Sequence, residues 1–202
     1  MQSTKPPKKG FCVWYNEFMR KGFTLIELLI VIAILAALSA GVILVMNPAE
    51  LLKQSRDSTR LSDLAALNNA ISIWVTDFGP TATGWVATTS CASAVIAEFP
   101  FVAGNGPCSQ KIGTGVDGTG WVNIDLNQIS GGAPLARLPL DPLGTENTTH
   151  WYGFTSTSTT GRYKLIANME SAKNVQGGTS DIESTDGGVL PSYYELGSEL
   201  GL

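Results

Sequence analysis

The chain has 202 residues, 44% of them apolar and 15% charged, with a formal net charge of -4. That length suits one domain, alone or with an appended element, and argues against a multidomain machine; the apolar content suffices for a core and argues against disorder. Charge is zoned: residues 1–22 carry Lys5, Lys8, Lys9, Arg20 and Lys21 against Glu17, while the rest of the chain holds eight basic and sixteen acidic side chains. Phosphate binding needs clustered Lys and Arg, so direct nucleic-acid binding by the acidic part is not expected.

Residues 1–22 read as a basic leader, and Phe23 to Met46 as an apolar run, FTLIELLIVIAILAALSAGVILVM. About 20 apolar residues span a bilayer, and the run outlasts the roughly 7–15 apolar residues of a signal peptide. A persistent anchor is the better reading. The basic flank keeps the N-terminus cytoplasmic and sends the bulk of the chain outside. One acid interrupts the run, Glu27. A carboxylate costs about 2.5–3.5 kcal/mol at a helix centre and less near the interface, so it is a functional candidate that wants a cationic partner.

At this point Lys21-Gly22-Phe23-Thr24-Leu25-Ile26-Glu27-Leu28 resembles the N-terminal motif of type IV prepilins and pseudopilins. The resemblance implies that a membrane prepilin peptidase cuts between Gly22 and Phe23 and that the new amine of Phe23 is methylated. It also implies that Glu27 pairs with the Phe23 amine of a neighbouring copy and sets axial register. A Glu27 that merely reaches the interface is the alternative. The expected partners are other copies of the chain in a helical filament, the peptidase/methylase, inner-membrane pilus or secretion machinery and, before assembly, the lipid bilayer. The expected location is the inner or cytoplasmic membrane, crossed once, and then an extracellular filament.

Gly41 and Pro48 are the expected weak points of the helix. From 47 to 78, Leu51, Leu52, Leu61, Leu64, Ala65, Leu67, Ile71, Trp74, Val75 and Phe78 recur at three-to-four spacing. That predicts an amphipathic helix with one core-facing side, stopped by Gly79-Pro80. Residues 79–120 read as a loop-rich connection. Residues 121–202 read as a β-rich head with a C-terminal loop. Strands are predicted over 122–126, 150–155, 162–168 and 192–196. The fold class is therefore α+β, a long N-terminal helix packed on a small antiparallel sheet, pilin-like by the resemblance.

Chemistry is sparse. His150 is the sole histidine, which leaves no material for a Ser-His-Asp triad or a multi-His zinc site. Gly113-x-Gly115-x-x-Gly118 lacks the strand-then-helix context of a dinucleotide site and reads as a turn. No enzyme and no cofactor are expected. In an exported head Cys91 and Cys108 read as a disulfide, worth roughly 3 kcal/mol in the chain-entropy account, with two unpaired thiols as the alternative. Leu138-Pro139-Leu140-Asp141-Pro142-Leu143-Gly144 is similar to an element of major type II secretion pseudopilins, which keeps that role as the alternative to a pilus. Such pseudopilins carry a calcium-stabilised C-terminal loop. Asp181, Glu183 and Asp186 before Gly187-Gly188 are the matching candidate ligands for a structural calcium ion, with a solvated acidic loop as the other reading. A membrane-tethered binding protein that never polymerises is the alternative of another class.

Overall fold

The structure, a computed structural model, describes residues 22–79, 89–94, 100, 106–107, 112–157 and 161–202, with backbone alone at 43–45, 89–90 and 106–107. The chain divides into two compact units, Met1–Met46 and Asn47–Leu202.

The described part of the first unit is helix α1 (Leu25–Met46). Thr24 caps it: its side-chain oxygen accepts from the Glu27 N–H at 3.3 Å, satisfying one of the orphan donors of the first turn. The helix runs through Gly41 without interruption. Its described side chains are all exposed, and residues 25–42 have a mean hydropathy of 2.7. A helix that is apolar all round needs a bilayer or other helices to cover it.

The second unit starts with a break. Asn47 adopts a left-handed conformation, φ 41° and ψ 76°, which Asn tolerates better than most residues. Pro48 then occupies the first turn of α2 (Pro48–Phe78), where its missing N–H costs nothing. Gly79, at φ 79°, ends the helix and donates its N–H to the Val75 carbonyl at 2.8 Å. The buried face of α2 is Asp57, Arg60, Leu64, Leu67, Ala70, Ile71 and Trp74. This corrects the predicted face at both ends. Leu51 and Leu52 are 51% and 61% exposed, and Ala65 and Phe78 are also exposed. Leu51 and Leu52 lie in the first two turns of α2, which hold none of the helix's buried residues.

The sheet has five strands in the order β2-β1-β3-β4-β5. They are β1 (Thr89–Ala92), β2 (Gly106–Pro107), β3 (Tyr152–Ser156), β4 (Tyr163–Ala167) and β5 (Tyr194–Gly197). β1, β3, β4 and β5 pair antiparallel, while β2 lies parallel to β1. The α+β class and the β3–β4 hairpin are as expected. Two strands, β1 and β2, lie inside the stretch read as loop. Conversely, 122–126 is no strand. Val122, Ile124 and Leu126 are buried, as their alternation required, but the segment bonds to the preceding glycine-rich loop. Trp121 N–H donates to the Gly113 carbonyl and Leu126 N–H to that of Val116.

The main core packs α2 against the sheet and this loop: Leu64, Leu67, Ile71 and Trp74 meet Trp121, Tyr152, Phe154 and Leu165. The opposite face is covered too, by a smaller cluster of Ala92, Ala94, Trp151 and Ile166, against which Leu190 and Tyr193 pack. Coverage on both faces explains why every residue of β3 and β4 is buried. It also gives the C-terminal loop a structural task.

Candidate processing and assembly site

Gly22, Phe23 and Thr24 precede the helix, are not helical and are exposed. The Gly22–Phe23 peptide is thus open to an enzyme, free of the intrahelical bonds that protect the residues after it. A Cβ built on Gly22 meets nothing within 4 Å. Glu27 stands in the first turn of α1, where the positive end of the helix dipole favours an acid. It is the sole charged residue of α1.

The expected kink positions separate. Gly41 lies within α1, whereas Pro48 starts α2 directly after the break at Asn47.

Cys91, on β1, is buried and disulfide-bonded. Cys108 lies outside the described residues. The acidic trio is described in full. Asp181 Oδ1 accepts from the N–H groups of Glu183 and Ser184, and its Oδ2 from the Gly177 N–H and the Ser184 hydroxyl. These bonds, the Ser184 hydroxyl first, hold its pKa down at about 2. Glu183 is buried and accepts from the Met169 and Gln176 N–H groups; burial raises its pKa despite them. Asp186 accepts from the Gly188 and Glu195 N–H groups. Among the described residues no three His, Cys, Asp or Glu side chains are arranged to hold a metal. Each of the three carboxylates is engaged by donors of this chain, whereas calcium takes its oxygens around one point.

A polar cluster escaped the sequence reading. Arg60 is fully buried and forks onto Asp141 (Nε–Oδ2 2.7 Å, Nη2–Oδ1 3.0 Å) and onto Asp57 (2.9 Å). Asp57 also accepts from the N–H groups of Glu170 and Ser171 and from the Asn174 amide. Burial alone would raise its pKa, but these bonds outweigh it and hold the carboxyl below its usual range. Arg56 grips Glu170 at 2.7 Å through two bonds. The cluster ties α2 to the Leu138–Gly144 segment and to the turn after β4. Its signal was present: positions 57 and 60 continue the spacing of Leu64, Leu67, Ile71 and Trp74. An apolar-only template skips them. His150, half-buried, has its pKa lowered by burial and by Arg60.

With this geometry in place, residues 18–43 match a family model described as the prokaryotic N-terminal methylation motif. This is the prepilin-type cleavage and methylation signal. The chain matches no curated protein and no solved structure.

Proposed function

We propose, from the premise that this chain carries the signal of a type IV pilin or pseudopilin precursor, that it is a structural subunit of a type IV pilus-like surface filament. Its action is assembly, not catalysis. Prepilin peptidase cuts after Gly22, the amine of Phe23 is methylated, and α1 leaves the bilayer for a fibre core of like helices. The observation that carries the reading is α1 itself: an apolar helix whose described side chains are all exposed, with one acid four residues after Phe23. Lipid contacts are exchanged for helix contacts of similar polarity, so packing decides association. Ala33, Ala36, Ala37, Ser39, Ala40 and Gly41 allow close approach. In that dry core Glu27 is stable only against a cation, and the neighbour's Phe23 amine supplies it.

A secretion pseudopilin is the second reading, favoured by the Leu138–Gly144 segment. In both readings Glu27 is required. Glu27→Val keeps an insertable span, so the variant is expected at wild-type level in the membrane fraction and at least tenfold reduced in sheared filaments. Equal recovery of variant and wild type in the sheared fraction contradicts the pairing.

A further inference from the structure

The C-terminal segment that covers the outer face of the sheet is held by four carboxylates: Asp181, Glu183, Asp186 and Glu195. All eight of their oxygens accept a hydrogen bond from this chain. Beyond the bonds of the trio, Glu195 Oε1 faces the Lys164 ammonium at 2.8 Å and Oε2 accepts from the Leu190 N–H at 2.7 Å. The donors are backbone N–H groups at 169, 176, 177, 183, 184, 188, 190 and 195, the Ser184 hydroxyl and the Lys164 ammonium. A calcium ion takes 6–8 oxygens, and each oxygen here already has a hydrogen aimed at it. The glycines have a different reason as well. A Cβ built on Gly188 would fall 1.8 Å from Glu195 Oε2, so glycine lets the backbone close on that carboxylate. The fixed cation of the segment is Lys164, fully buried with Glu195 and also donating to the Leu200 carbonyl at 3.2 Å.

We propose that these carboxylates and the Lys164 ammonium lock the C-terminal segment in the place of a calcium ion, so that the head holds β5 and its outer cover without any divalent cation. Charge-assisted bonds to backbone N–H groups are about twice as strong as neutral ones, and the Lys164–Glu195 pair fixes β5 in register beside β4. The inference stands whether or not the chain polymerises.

The test uses the full chain in detergent micelles, melted under near-ultraviolet circular dichroism in millimolar calcium and, separately, in excess EGTA. Hydrogen exchange is read over residues 176–196 under both conditions. The expected result is one melting temperature and one protection pattern. Ser184→Ala removes a single donor to Asp181 and is expected to weaken protection over 177–184 equally with calcium and with EGTA. Glu195→Gln is expected to lower the melting temperature by several degrees under both conditions. A melting temperature or protection that rises with calcium overturns the proposal. So does unchanged protection in Ser184→Ala.

Discussion

Arg60 has no access to water, and its charge is balanced by carboxylates on two other parts of the chain besides its own helix: Asp141 and, at 3.6 Å, Glu170. Taking such a cluster out of water is costly, and removing one member is costlier, because the remaining charges stay buried without compensation. Arg60→Met leaves Asp57 and Asp141 in that state. It is expected to lose about 3–5 kcal/mol of unfolding free energy in a denaturant titration; a loss below about 1 kcal/mol contradicts the buried geometry. The same cluster sets an acid limit. Asp57 and Glu170 both have lowered pKa values in the folded state. Their contribution is present above the unfolded carboxylate range and is lost as pH falls through the folded values. Burial raises Asp63, whose carboxylate accepts from the Tyr152 hydroxyl, so that group works in the opposite sense and costs stability as pH rises through its folded value. Asp57→Asn is therefore expected to flatten the decline in stability below about pH 4, read from denaturant midpoints across pH.

Among elements, the break between α1 and α2 rests on one backbone conformation. Asn47 holds φ at 41°, a region that costs most L-residues about 1–2 kcal/mol. Asn47→Gly is expected to be neutral, while Asn47→Ile loses about that amount or turns helical at position 47 with a rise in helical signal. Equal stability and equal helicity in both variants would contradict the conformation. The elements also mark where sequence reasoning reaches and stops. Helix α2 was legible because three-to-four spacing reports a face. The same spacing reaches Asp57 and Arg60, but it names no partner for a buried charge, and those partners lie 81 and more than 100 residues away. Strands β3, β4 and β5 carry apolar or aromatic alternation. Strand β1, with the sequence Thr-Ser-Cys-Ala, does not, and owes its form to the ladder along β3 from Thr89 to Ala92. Alternation at 122–126 reported burial on one side correctly; the inference from burial to a ladder was the weak step.

For the whole molecule, two units with opposite surface character share one chain: a leader and apolar helix, and an acidic head with a core of its own. The processing signal was the most legible feature, because it combines a basic flank, a glycine and an acid at a set offset. Cys91 is disulfide-bonded, and Cys108, the partner expected in an exported head, lies outside the described residues. A non-reduced peptide map is expected to link the Cys91 and Cys108 peptides; a link from Cys91 to Cys12 would contradict both that pairing and removal of the leader. Peptidase processing followed by assembly is read from mass spectrometry of the N-terminus in sheared extracellular material. The expected chain begins at a methylated Phe23. A chain that begins near Gly41, or an uncut Met1 with nothing in the sheared fraction, would contradict it.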